Sequence, residues 1–255
     1  MFSMSLRAYI VTAISYIRKP IKRNLLRLCY QLRSKTGLEI GGPSSFFLEQ
    51  GYFPIYLFAK RIDGANYSAQ TVWEGKIEEG QHYKYHDNKI GYQYITEASD
   101  LSKIKNESYD FVLSCHSLEH VANVMKAINE WRRVLKKDGK LILVLPDKRF
   151  TFDHNRPYTT FEHLLNDYKN NVDEHDDTHF DEIIQLHDIS IDQGANSKDE
   201  LQKRTEQNFV NRCVHHHVFN QQLVKELLTH CGFELMHQQE VLSFHLVTVA
   251  KKFKQ

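Results

Sequence analysis

Three short apolar runs between residues 36 and 146 constrain this chain more than any other feature. They are Thr36-Gly-Leu-Glu-Ile-Gly-Gly-Pro-Ser44, Tyr109-Asp-Phe-Val-Leu-Ser-Cys-His116 and Lys140-Leu-Ile-Leu-Val-Leu-Pro146. A near-continuous apolar run of this length suits a strand buried on both faces, as in a parallel sheet. Helical stretches between such runs make an α/β architecture the leading expectation. The first run closes on Gly41 and Gly42, where the absence of side chains would let backbone approach a ligand closely. In an open α/β sheet that ligand lies beyond the carboxyl ends of the strands.

At 255 residues the chain suits one such domain with insertions. Its four cysteines (Cys29, Cys115, Cys213, Cys231) are scattered and form no CxxC pair. A disulfide framework or zinc ribbon is therefore not expected, and a reducing cytoplasm fits. A net charge of +1 argues against a nucleic-acid partner for the chain as a whole. That balance hides an asymmetry, because residues 1–36 carry eight Lys/Arg and no acid.

Leu6, Ile10, Ile14 and Ile17 follow helical spacing, as do Ile21, Leu25, Leu28 and Leu32, with Pro20 breaking the chain between them. Residues 1–35 thus read as a basic amphipathic helical extension. Such helices either complete a core or lie on an anionic membrane surface. The second use would make this a cytoplasmic protein peripheral at the inner face of the plasma membrane. Residues 36–148 read as the cofactor half and 149–219 as an inserted acceptor-site segment. Residues 220–255 read as a final helix and strands that complete the sheet as an edge hairpin. Residues 52–90 read as a long loop with room for a short strand, and 122–137 as a helix striped by Met125, Ile128, Trp131 and Leu135 and stopped by Gly139.

These blocks resemble class I S-adenosylmethionine-dependent methyltransferases, with Leu118-Glu-His-Val121 after the second run adding to the likeness. Within that class the chain is similar to a type-11-like subgroup found in bacterial surface-polysaccharide biosynthesis. The residues that carry this are Leu38-Glu-Ile-Gly-Gly-Pro-Ser44, Thr71-Val-Trp-Glu-Gly75, Asp110-Phe-Val-Leu-Ser114, Thr151-Phe-Asp-His154 and His215-His-His-Val-Phe219. Pro43 replaces the last glycine of the usual E/D-x-G-x-G. The resemblance implies a Rossmann-like, seven-stranded methyltransferase sheet with helices on both faces, and S-adenosylmethionine as cofactor.

It further implies Glu39, Gly41, Gly42, Pro43 and Ser44 at the amino-acid end of the cofactor. Asp63 would take the ribose hydroxyls at the end of the second strand. Glu97, Ala98 and Asp100 would lie by the adenine, and Ser114, Cys115 and His116 would flank the methionine part. The implied acceptor is a sugar hydroxyl of a glycan, or of a lipid- or nucleotide-linked precursor.

A hydroxyl acceptor benefits from a general base or a metal ion, and histidine titrates in the useful range. Eight of the fifteen histidines fall between His154 and His217. His154 with Asp153 reads as a base and its orienter, and Arg149 and Arg156 as anion-binding groups. In Val214-His-His-His-Val-Phe219, extended backbone would put His215 and His217 on one side and His216 on the other. His215, His217 and His120 are further candidates for the base, and sequence does not choose among them. His175 and His179, at i and i+4 among carboxylates, would suit a divalent metal on a helix or a solvated acidic segment equally. Rival readings are a methyltransferase for a small metabolite or natural product, and a cofactor-binding partner protein without catalysis. The sequence does not address oligomeric state.

Overall fold

A computed structural model describes residues 22–241 and 244–253, together with residues 10, 12–14, 16 and 17. The apolar runs become strands because their alternate residues enter two different cores. The described strands are β1 (Thr36–Ile40), β2 (Arg61–Asn66), β3 (Gln70–Thr71), β4 (Gly75–Lys76), β5 (Gly80–His86), β6 (Lys89–Ile95), β7 (Tyr109–Cys115), β8 (Leu135–Pro146), β9 (Phe233–Val241) and β10 (His245–Lys252). Val112 of β7 and Leu141, Leu143 and Leu145 of β8 face one core with the helices Val124–Val134 and Gln221–His230. Phe111, Leu113, Ile142 and Val144 face the other, with the helix Arg23–Gln31 and the aromatic group of Phe47, Phe53 and Tyr56. The period of two that governs side-chain direction in a strand produces this division.

Eight strands form the main sheet in the order β5-β6-β2-β1-β7-β8-β10-β9. The strands β6, β2, β1, β7 and β8 run parallel. β10 is antiparallel to both β8 and β9, giving the expected edge hairpin. The count expected from the resemblance was seven. The extra strand is β5, antiparallel to β6 at the far edge. Its alternation of exposed residues with buried Tyr83 and Tyr85 lies inside the stretch that reads as a loop. That stretch also holds β2, the short helix Ile55–Phe58 and the small β3–β4 pair.

Two helix boundaries differ from the sequence pattern. The helix expected to run to Lys137 ends at Val134, because Leu135 pairs with Tyr109 and begins β8. Its amino terminus is capped by Asn123, whose side chain accepts from the Lys126 amide at 3.1 Å. At the chain's start, Leu25, Leu28 and Leu32 are buried as their spacing suggests, whereas the side chains of Ile10, Ile14 and Ile17 are exposed. Leu6, Pro20 and Ile21 lie outside the described residues. Among those described, no helix is long and apolar enough to cross a membrane.

Candidate active site

The sheet order reverses between β1 and β7, so the crevice beyond their carboxyl ends is where a ligand would sit. Gly41 leaves β1 with φ +72°, and its exposed Cα faces Ser117: a Cβ there would lie 2.3 Å from the serine Oγ. Gly42 is buried, and a Cβ on it would lie 2.3 Å from the Glu39 carboxylate and 2.4 Å from the Tyr83 hydroxyl. Both positions therefore exclude a side chain, for different reasons. Glu39 itself is fully buried and accepts from the hydroxyls of Tyr56 (2.6 Å) and Tyr83 (2.7 Å) and from the Ser44 amide (3.1 Å). Burial pushes its pKa up to about 7 even though those donors pull it down. Pro43 and Ser44 complete the turn, and the Ser44 side chain accepts from the Phe46 amide.

Asp63 does not end the second strand. β2 continues to Asn66, and the Asp63 carboxylate is consumed by Arg61 (2.6 Å), the Tyr92 amide (2.7 Å) and the Tyr109 hydroxyl (2.8 Å). Asn66 occupies the strand end instead. It gives Nδ2–H to the Gly42 carbonyl at 3.3 Å and accepts from Gln93 at 3.0 Å. Parallel register with β1, which pairs Leu38 with Asp63 and Ile40 with Ala65, carries β2 past Asp63, and pairing of Asn66 with Ile95 of β6 adds its last residue.

After β6, Glu97 pairs with Arg212 at 2.7 Å, and Ala98 accepts from the Trp131 indole at 2.9 Å. Asp100 is exposed and accepts from the Ser102 amide. At the end of β7, Ser114 is fully buried, and its Oγ has no hydrogen-bond partner among the described residues. Burial raises the Cys115 thiol to about 12 and depresses His116 to about 3, so both are neutral at pH 7. His116 adopts φ +52°, stacks on Phe244 and meets Nδ1 of His245 through Nε2 at 2.9 Å.

The acceptor candidates rearrange more. Asp153 turns to His215, not to its neighbour His154: His215 Nδ1 and Asp153 Oδ2 are 2.5 Å apart. His154 Nδ1 gives its hydrogen to the Thr151 carbonyl, and Nε2 approaches Asp188 at 3.6 Å. Arg156 is not available to a ligand. It is 1% exposed, and its guanidinium is spent on Asp153, Glu182 and the His215 and His216 carbonyls. Arg149 is half exposed and bound to Asp147 and Glu240.

His120, which follows β7, gives Nδ1–H to the Val214 carbonyl at 3.0 Å and sets its ring edge-on to His215 with centroids 4.6 Å apart. Exposed Trp73 borders it at 5.3 Å. Burial opposes a charge on His215, but Asp153 and Glu119 outweigh it, so its pKa is raised. For His120, burial depresses the pKa well below the ordinary value.

His217 points elsewhere, with Nε2–H on the Ala122 carbonyl at 3.0 Å. His175 and His179 do not share a helix. His175 is exposed in a turn and stacks on Phe209, while His179 precedes the helix Phe180–Leu186 without a capping hydrogen bond from its side chain. The carboxylate of Glu119 is a group that sequence reasoning missed. It is 1% exposed, both oxygens lack a hydrogen-bond partner among the described residues, and its ligand atom lies within 4.8 Å of those of His120 and His215. Its position beside His120 in the block after the second apolar run was the available signal.

Residues 51–143 match a family model described as a methyltransferase domain. A solved S-adenosylmethionine-dependent methyltransferase of Mesorhizobium loti superposes with a TM-score of 0.51 at 12% identity, covering 91% of this chain and 96% of that one. A Listeria monocytogenes structure, a candidate methyltransferase of the same kind, gives 0.50 at 16% identity over 91% and 97%. The fold is that of the S-adenosylmethionine-dependent methyltransferases.

An uncharacterized protein of Methanocaldococcus jannaschii is 42% identical over 65 residues, which is 26% of this chain and 25% of that protein. The methyltransferase fold directs attention to the β1–β7 crevice, and the residues there fit the cofactor. The glycine turn leaves room for backbone contact, the Glu39 carboxylate lies beneath it, and buried Asn66 ties the second strand end to the turn through the Gly42 carbonyl.

Proposed function

We propose that this chain is an S-adenosylmethionine-dependent O-methyltransferase that modifies a sugar hydroxyl of a bacterial surface glycan or its lipid- or nucleotide-linked precursor. The observation that carries the reading is the His215–Asp153 pair, held against the segment that leaves the carboxyl end of β7. The sulfonium cofactor supplies an already activated methyl group, so the chain's own residues have to position the acceptor and take its proton.

Asp153 is kept ionised. Burial would raise its pKa, but His215 and Arg156 hold it well below the usual carboxylate range. An ionised Asp153 accepts Nδ1–H of His215, which leaves the Nε2 lone pair as the base. With the methyl donor bound, the acceptor hydroxyl would give up its proton to His215 Nε2. Asp153 stabilises the resulting imidazolium. Trp73, exposed beside His120, supports a sugar acceptor because its indole face can stack on the apolar face of a pyranose.

The test is transfer of a labelled methyl group from S-adenosylmethionine to a panel of nucleotide-linked sugars, lipid-linked sugars and small hydroxylated metabolites. Labelling of the sugars by the wild type, and not by His215→Ala, supports the reading. Labelling confined to the small metabolites, or undiminished in the variant, defeats it.

A further inference from the structure

Apart from the His215–Asp153 pair, a second group of side chains converges from three places in the sequence. His163 and Asp167 lie one turn apart on the helix Phe161–Lys169, so both project from one face. His179 opens the helix Phe180–Leu186, and His217 lies in the extended segment before the helix Gln221–His230. His163 Nε2 is 3.2 Å from His179 Nε2 and 3.3 Å from Asp167 Oδ2. Asp167 Oδ2 is in turn 3.9 Å from His217 Nε2. One nitrogen from each of the three histidines lies within 4.8 Å of the other two.

We propose that His163, Asp167, His179 and His217 form a zinc site that clamps the inserted segment to the core. Two contacts, His163–His179 at 3.2 Å and His163–Asp167 at 3.3 Å, already match the edge of about 3.3 Å between tetrahedral ligands at roughly 2.0–2.1 Å from zinc, and His217 is the ligand that has to draw in. The donors fit as well, since three imidazoles and one carboxylate suit zinc better than magnesium or calcium. Asp167 Oδ2 is buried with no hydrogen-bond partner among the described residues, and so is Nδ1 of His217, whose residue is 2% exposed. With its Nε2–H on the Ala122 carbonyl, His217 keeps Nδ1 as its lone-pair nitrogen, the arrangement in which a metal-bound histidine is steadied by a carbonyl.

The frame around the group is also fixed. Asn123 Nδ2 gives hydrogen bonds to the carbonyls of Asp167 (3.1 Å) and Val172 (3.2 Å), tying the helix end to the chain after β7. His163 is partly exposed and leaves an entry path. Asp176, His179 and His216 form an overlapping group, but His216 Nε2 is already held by the Asn208 amide at 3.1 Å. His217 lies two residues from His215, so a metal here would steady the segment that presents the base without touching the acceptor.

The experiment uses the full chain, free of any histidine tag, stripped with chelator and then titrated with zinc chloride. The expected result is one zinc per chain, a raised melting temperature, and the visible bands of tetrahedral cobalt(II) when cobalt replaces zinc. His163→Gln and Asp167→Asn, both at partly exposed positions, should keep the fold by circular dichroism and weaken zinc binding about tenfold or more. His154→Ala should bind zinc as the wild type does. Titration of the same samples with S-adenosylmethionine reads the cofactor site separately. Substoichiometric zinc with no thermal response, wild-type zinc affinity in both ligand variants, or preference for magnesium or manganese over zinc would overturn the proposal.

Discussion

His215 Nδ1 and Asp153 Oδ2 stand 2.5 Å apart, and the other Asp153 oxygen is held at 3.0 Å by buried Arg156. The pair joins residues 62 positions apart and fixes which imidazole nitrogen is free. If His215 is the base, His215→Ala should lower kcat by about 10²–10⁴-fold with little change in the affinity for S-adenosylmethionine. Steady-state kinetics with a competent acceptor, paired with cofactor titration, checks both.

The same pair sets a pH dependence. Asp153 and Glu119 raise the His215 pKa above 6.5 against the effect of burial. A base must be neutral, so the rate should rise with pH and level off above that raised value. Asp153→Asn removes the nearer negative charge and should move the acid limb to lower pH while reducing the plateau. An unmoved limb in a pH–rate profile would detach His215 from the proton transfer.

Asp63 and Asn66 separate a structural acid from a strand-end group. Asp63→Asn disrupts the contacts to Arg61, Tyr92 and Tyr109 and should cost about 1–3 kcal/mol in urea unfolding. Its S-adenosylmethionine affinity should stay within about twofold, because the carboxylate lies short of the strand end. Gly42→Ala should behave oppositely in the binding assay. Its methyl group meets Glu39 and Tyr83, so affinity should fall about tenfold or more, with roughly 1–3 kcal/mol of overpacking strain.

That contrast shows where the sequence was legible. The buried parallel strands announce themselves because both faces are covered, so β1, β7 and β8 read directly as apolar runs. β5 did not, since three of its seven residues are exposed and its inward tyrosines carry hydroxyls. The first glycine turn is set by local backbone and could be read. The length of β2, and therefore the identity of its last residue, depends on pairing with β1 and β6, each more than twenty residues away. Proximity in sequence suggested His154 as the partner of Asp153, whereas the fold supplies His215 from beyond the inserted helices. Periodicity carries no information about such a pairing.

Buried histidines and carboxylates together should govern acid stability in metal-stripped protein. Burial depresses His116 to about 3 and His179 to about 4, and it drives His120 and His217 well below 6.5. In each case the unfolded chain binds the proton first, so stability is lost as pH falls below 6.5, by up to about 1.4 kcal/mol per pH unit per group. Glu39 and Glu119, both raised to about 7 chiefly by burial, act in the opposite sense between about 4.5 and 7. His215, raised by Asp153 and Glu119, acts in the carboxylates' sense, as do Glu74, Glu97 and Asp167, raised chiefly by burial, so the readable quantity is the change made by one substitution. In thermal melts from pH 7 to pH 4.5 the midpoint of Glu39→Gln should fall more, or rise less, than that of the wild type.

Calorimetric titration of the purified chain with S-adenosylmethionine, and separately with NAD⁺, tests the central claim most directly. The β1–β7 crevice predicts micromolar binding of the sulfonium cofactor, weakened in Gly42→Ala and absent with NAD⁺. Folded protein that binds NAD⁺, or that binds neither ligand, would contradict the methyltransferase reading.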